Sequence, residues 1–303
     1  MTSTPSDTGA GLMRLHPDGT ASRGSRILGI VVLVSSVVFL YVALVASAPD
    51  RSLDAQGELV RIMYVHVPSA IACYTAFFVT AVASGMYLWR RTTGWDALAA
   101  SSAEIGVVFT ALTLLTGSIW GHTTWGTWWE WDPRLTSTAL MFVLYLGYLA
   151  LRRAIIDPTS RAKQSAILGI IAFINVPIVH YSVDWWRSLH QTATVASLDP
   201  QIDGLRLLAL FLGMIVALLL YVWLMMHRFR LAFAEAALES KGLDQALAEG
   251  MPCSFDQELA SPTEPTKHFD RCGPGFGCVP TPSQGLRCRR LCQLRTRSAC
   301  SKA

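Results

Sequence analysis

The chain has 303 residues, 52% of them hydrophobic and 15% charged, with a formal net charge of +4. Soluble proteins carry roughly 25% charged residues, so the composition excludes an ordinary water-soluble globular domain and points to a membrane. The net charge says little by itself, its distribution more, and no nucleic-acid partner is expected.

Apolar runs at about 27–48, 67–89, 101–120, 136–151, 165–183 and 205–226 approach the ~20 residues that cross hydrocarbon. The expected fold is an all-α integral membrane protein of six transmembrane helices. Residues 1–26, rich in Ser, Thr, Gly and Pro, read as a disordered leader. Ala46-Ser47-Ala48 resembles a signal cleavage site, but the run before it is longer than the ~7–15 residues of a signal core, so the first span is expected to be retained.

Cationic residues gather at alternate span ends. Arg14, Arg23 and Arg26 precede span 1, Arg90 and Arg91 follow span 2, Arg152, Arg153, Arg161 and Lys163 follow span 4, and Arg228 and Arg230 follow span 6. By the positive-inside rule both termini are cytoplasmic, and the loops after spans 1, 3 and 5 face outward.

Ahead of span 2 comes Arg61-Ile-Met-Tyr64-Val-His66-Val-Pro68. Proline suits the first turn of a helix, so Pro68 is expected to start the buried helix and leave His66 at the outer interface. Span 3 is expected to end at Trp120. Five of the ten tryptophans (Trp120, Trp125, Trp128, Trp129 and Trp131) then fall within a short stretch closed by Asp132 and Arg134. Tryptophan favours membrane interfaces and flat ligands; this density in one inter-span loop reads as a binding platform. In span 5, Asn175-Val-Pro177 predicts a kink, after which His180 leads into a second aromatic knot, Asp184-Trp185-Trp186-Arg187-Ser188-Leu189-His190.

Residues 231–303 differ in kind. Glu235 to Glu249 reads as a short amphipathic helix, followed by a tail, Cys-rich from 253, that is expected to be disordered. Its cysteine spacings fit no zinc pattern.

His66, His122, His180 and His190 all fall on or near the outer face, with the tryptophans. Two imidazoles from separate loops could ligate one iron from opposite sides while aromatic rings cover the macrocycle. Arg61 and Arg134 are the outer-face cations placed to pair with propionates. Composition alone leaves haem, quinone and zinc open.

Trp120-Gly-x-x-x-Trp125-Gly-Thr-Trp128-Trp129-x-Trp131-Asp132-x-Arg134 resembles the WWD signature of the haem-handling membrane proteins of cytochrome c biogenesis. Tyr64-Val-His66-Val-Pro68 and His180-Tyr-Ser-Val-x-Trp185-Trp186-x-x-Leu189-His190-Gln191 are similar to the flanking motifs of one family among them, haem exporter protein C (CcmC). The resemblance covers roughly 27–230, which it makes one six-span haem-handling domain. It implies transient binding of haem b (iron protoporphyrin IX), with His66 and His190 as axial ligands and the WWD segment holding the haem edge. His180 is then structural, His122 an outside candidate, and Asp132 orients the loop.

It further implies a bacterial inner membrane, with the site facing the periplasm. Implied partners are a periplasmic haem chaperone, a small single-span membrane protein and an ABC transporter of the maturation system. The role is delivery rather than conventional enzymology. The leader and the cysteine-rich tail depart from the family pattern. Two other classes remain: a b-type cytochrome passing electrons to quinone, which needs histidine pairs within spans, and a secondary transporter, which needs ionisable groups at mid-bilayer. Glu104 is the only acid near a span.

Overall fold

A computed structural model describes residues 22–47, 57–190, 204–249, 276–281 and 285–290. The leader before Ser22 and most of the cysteine-rich tail lie outside the described residues. The chain divides into two units, Met1–Phe233 and Ala234–Ala303.

Among the described residues of the first unit the regular elements are all helical. Its elements are α1 (Arg23–Tyr41, continued by a wide turn over Val42–Ala46), a 3-10 turn (Glu58–Ile62), α2 (Met63–Arg90), α3 (Thr93–Trp125), α4 (Pro133–Ala154), α5 (Pro158–Phe173), α6 (Asn175–Trp185) and α7 (Gly204–Glu249). Among the described residues six segments are long and apolar enough to cross a membrane: Arg23–Ala46, Glu58–Arg90, Thr93–Trp125, Pro133–Ala154, Pro158–Trp185 and Gly204–Glu239. This is a multi-pass membrane protein with the six spans expected.

α2 and α3 pack along one another over most of their length, and α2 also lies against α5. Small residues on α3 permit that approach: Ala99, Ala100, Ser101, Ser102, Ala103 and Gly106 are all buried or close-packed. At Gly106 an added Cβ would fall 2.5 Å from the Phe77 ring, and that ring stacks on Tyr145 of α4 at 3.6 Å between centroids. Ser102 Oγ joins three helices, donating to the Ala76 carbonyl of α2 at 2.7 Å and lying 2.8 Å from the Tyr221 hydroxyl of α7. A hydrophobic core alone gives lipid-surrounded helices little preference for one another, so such contacts set the arrangement.

Three expectations need correction. α2 starts at Met63, preceded by the 3-10 turn, so Pro68 lies inside the helix and His66 is a helical residue. Pro68 has no N–H to offer the Tyr64 carbonyl. Gly213 of α7 passes so close there that a Cβ would lie 2.8 Å from that oxygen and 3.0 Å from Pro68 Cγ; the neighbouring helix accommodates the defect instead of the helix beginning after it. α3 continues past Trp120 to Trp125. The amphipathic stretch from Glu235 is not a separate helix but the last part of α7.

The kink in span 5 is present. α5 stops at Phe173 and α6 resumes at Asn175, where Pro177 cannot donate to the carbonyl four residues earlier. Asn175 Nδ2 donates to the Ser137 carbonyl at 2.8 Å, tying the break to α4. Glu104, the acid a transporter would need, is held by Arg228 of α7, whose Nη2 donates to Oε1 at 2.9 Å. Asp96 is likewise gripped by Arg152, with Nη2 to Oδ2 at 2.8 Å.

In the second unit, besides the end of α7, strands β1 (Phe276–Thr281) and β2 (Gly285–Arg290) form an antiparallel hairpin with Cys278 opposite Cys288.

Candidate functional site

The tryptophan stretch begins as helix. Thr123 and Thr124 hydroxyls both donate to the Trp120 carbonyl, at 2.8 and 2.9 Å, and α3 holds its form to Trp125. Gly126 then takes a left-handed conformation (φ 78°) and its N–H donates to the His122 carbonyl at 3.0 Å, a helix stop for which glycine carries no Cβ penalty. Inside the turn Thr127 Oγ1 donates to the Trp129 carbonyl at 2.9 Å and accepts the Trp129 N–H. Trp129 meets Trp131 edge to face at 5.9 Å. Trp128 stacks nearly parallel on His122 at 4.1 Å. Trp128 and Trp131 stay largely exposed, at 59% and 81%.

Asp132 closes the stretch and joins it to the second aromatic knot. Its side chain is 1% exposed. Oδ1 caps α4 by accepting the Arg134 N–H at 2.9 Å, and lies 3.0 Å from His190 Nδ1. Oδ2 accepts from the Ser188 hydroxyl and the Leu189 N–H, both at 2.7 Å. Burial alone would push this carboxyl up, but those hydrogen bonds and the adjacent His190 outweigh it and hold the group below the usual carboxylate range. An ionised Asp132 accepts only, so His190 carries its proton on Nδ1 and keeps the Nε2 lone pair. Burial, aided by Arg134, also depresses His190 below its ordinary value against the pull of Asp132, leaving the imidazole neutral at pH 7. Trp125 meets His190 edge to face at 4.9 Å.

His66 reaches the same tautomer by another route. Its Nδ1 lies 3.1 Å from Thr116 Oγ1. The Thr116 hydroxyl proton is committed to the Leu112 carbonyl at 2.7 Å, as usual for threonine within a helix. Thr116 therefore accepts from His66, and Nε2 of His66 is again the unprotonated nitrogen. Gly117 makes space for the ring, since a Cβ there would lie 2.9 Å from His66 Cε1. Trp120 stands edge-on to the imidazole at 5.8 Å. The indole Nε1 of Trp120 is buried without a hydrogen-bond partner among the described residues, a donor available to a bound acceptor. His66, His190 and Arg134 lie within electrostatic reach of one another.

The structure thus assembles His66, Trp120, Trp125, Asp132, Arg134 and His190, with Trp128, Trp129 and Trp131 on the adjoining turn. Arg134 Nη2 donates to the His180 carbonyl at 3.1 Å, pinning α4 to α6. Arg61 is engaged elsewhere, with Nη1 on Glu58 at 2.9 Å and Nη2 on the Ser47 carbonyl at 3.3 Å. His122 is taken up by Trp128, and the exposed His180 ring leans on Tyr181. Thr116, Gly117 and Ser188 escaped the sequence reading. Ser188 stands two residues from His190, and Thr116 one helical turn before Trp120. Only the pairing of α2 with α3 gives the second spacing meaning.

Two imidazoles that keep Nε2 unprotonated, flanked by indoles and guanidinium charge, form a donor set for a flat anionic metal complex. Over residues 18–243 the chain matches the family described as "Heme exporter protein C" (CcmC). Relatives bearing that name include one from Bradyrhizobium diazoefficiens, 40% identical over 214 residues, which are 70% of this chain and 81% of that protein. One from Haemophilus influenzae is 44% identical over 178 residues (58% and 72%). One from Escherichia coli K12 is 41% identical over 170 residues (55% and 69%).

Proposed function

The chain belongs to the haem exporter protein C family, and on that premise we propose that it presents haem b for cytochrome c maturation at the outer face of a bacterial inner membrane. His66 and His190 would hold the haem iron, each through Nε2. One observation carries the reading: both imidazoles are held as Nδ1–H tautomers, by Thr116 and by Asp132. The opposite tautomer would put a proton where iron must bind.

Haem supplies a Lewis-acidic iron and two carboxylates, and the protein's residues position both. His190 and His66 would hold the iron, while Trp120 and Trp125, edge-on to the two imidazoles, would flank the macrocycle. Arg134 sits where propionate charge can be balanced, and the Trp120 N–H can donate to the same oxygens. Arg61 would first have to leave Glu58 to serve a second propionate. Exposed Trp128 and Trp131 leave one side of the platform open to an acceptor, a periplasmic haem chaperone. A small single-span membrane protein and an ABC transporter complete the proposed assembly. Shallow binding suits a carrier, because deep burial would tighten the complex and obstruct release.

The test is an optical spectrum of the protein purified in mild detergent, oxidised and dithionite-reduced, beside a His66→Ala/His190→Ala double variant. A low-spin b-type spectrum present in the first and lost in the second is expected. The same spectrum in both would remove the ligand assignment, and no haem in protein co-expressed with its partners would remove the function.

A further inference from the structure

Between the first turns of α1 and residues Trp223–His227 of α7, away from the histidine site, lies a cavity of about 470 Å³. Trp223 shapes it. The indole Nε1 donates to the Ser25 carbonyl at 3.1 Å, and its ring lies so close to Gly29 that a Cβ there would fall 2.9 Å from Nε1. His227 meets the indole edge to face at 4.8 Å. Along the mouth stand Ile30 and Leu33, 62% and 65% exposed. At the polar end stands Arg26, exposed, whose side chain makes no hydrogen bond or ion pair among the described residues. Nearby cations differ: Arg228 is held by Glu104, and Arg230 donates to Ser22 Oγ at 2.7 Å.

The groove therefore has a cationic head end, an aromatic floor and an apolar body in the direction of α1. We propose that it is a binding site for an acidic phospholipid. The phosphate lies between the Arg26 guanidinium and the His227 edge, and an acyl chain follows Ile30 and Leu33 over Trp223. Three physical features favour an anionic over a zwitterionic headgroup. Arg26 has no counter-charge among the described residues, Arg23 adds a second exposed cation one turn away, and the N-terminus of α1 contributes its dipole in the same place. Trp223 sits where indoles favour the interface. The bound lipid splints α1 to α7. α1 benefits, since few of its side chains are buried against the protein.

The test uses the full chain in mild detergent, equilibrated with phosphatidylglycerol or phosphatidylethanolamine and read by native mass spectrometry. Phosphatidylglycerol should be retained in preference. Arg26→Gln should weaken its retention about fivefold, the equivalent of the ~1 kcal/mol that one surface cation contributes toward acidic lipid. Arg26→Lys should preserve it, as should Arg153→Gln, which removes an exposed arginine at the end of α4. Equal retention of the two lipids, or phosphatidylglycerol retention indifferent to Arg26→Gln, would overturn the proposal. So would a haem spectrum that survives the His66→Ala/His190→Ala double variant and disappears with His227→Ala.

Discussion

His190 and Asp132 meet at 3.0 Å across two loops, and the carboxylate in that pair is 1% exposed while the imidazole is 22% exposed. A buried carboxylate with four donors around it belongs to the scaffold; the imidazole it holds faces outward from that scaffold. His66, by contrast, leans on a neutral hydroxyl. The two imidazoles are alike in tautomer and unlike in support. Carboxylate backing makes an imidazole more basic and more electron-donating toward a metal, so His190 is the firmer of the two proposed ligands.

Asp132→Asn isolates that effect, because asparagine still caps a helix as well as aspartate does. Haem affinity should fall roughly 10- to 100-fold, the usual range for losing a ligand's outer partner. The reduction potential of the remaining bound haem should rise as anionic charge is withdrawn. A redox titration checks this, and an unchanged potential would disconnect Asp132 from the metal.

Thr116→Val removes the acceptor for His66 Nδ1–H and keeps the shape of the side chain. Leaving that donor unsatisfied costs about 1–3 kcal/mol, which should appear as about 5- to 150-fold weaker haem binding in a spectral titration. Thr116→Ser should restore most of it. If valine and serine behave alike, the hydroxyl has no part in holding the ring.

Gly117→Ala places a methyl 2.9 Å from His66 Cε1, closer than carbon atoms pack. The imidazole should turn away, giving a high-spin or five-coordinate spectrum. Apo stability should change by no more than ~1 kcal/mol, as for a typical substitution. Retention of a low-spin spectrum would show that the ring has slack not visible in its contacts.

Trp128→Phe combined with Trp131→Phe alters two side chains that stand 59% and 81% exposed. The thermal midpoint should not move, because little burial is lost. Transfer of haem to the chaperone should slow, measured as chaperone-bound haem over time. Full transfer by the double variant would confine the platform to Trp120, Trp125 and Trp129.

Acidification should weaken the apo fold in a defined order. His190 is depressed below its ordinary value of 6.5, so its unfolded form takes up a proton first. The stability it contributes is present above pH 6.5 and is lost as pH falls below that value. Asp132 is depressed below its ordinary 3.8, and its contribution, present above that pH, is lost only on further acidification. Thermal midpoints recorded from pH 8 to pH 4 should be flat at first and then decline, with the upper part of the decline missing in His190→Ala.

The spans were legible because lipid demands long apolar runs, and the break at Ile174 because proline withdraws a donor that no nearby sequence can replace. The tryptophans were legible by their density, and His66 and His190 were singled out from four outer-face histidines by the family motifs around them. The course of α2 through Pro68 was not, because what accommodates it is Gly213, some 145 residues away in the chain. Thr116 was hidden for the same reason: a threonine inside an apolar helix is ordinary until the facing helix brings an imidazole to it. Asp132 was expected, through the family resemblance, to orient the loop, but its contact with His190 depends on two loops meeting.

Because His66 rides on α2 and its partner Thr116 on α3, the aim of that nitrogen is an angle set by the rotational phase of two packed helices. Each residue added to a helix turns everything beyond it by about 100°. A single insertion between His66 and the packed stretch at Phe77 would swing the ring off Thr116 entirely, even with every side chain of the site retained. His190 hangs from a short non-helical segment fastened by Ser188 and Leu189, and has no such phase to lose. Length variation among related chains should therefore be tolerated after His190 and rejected along α2, making the spacing from His66 to the bundle core as much a part of the site as the histidine itself.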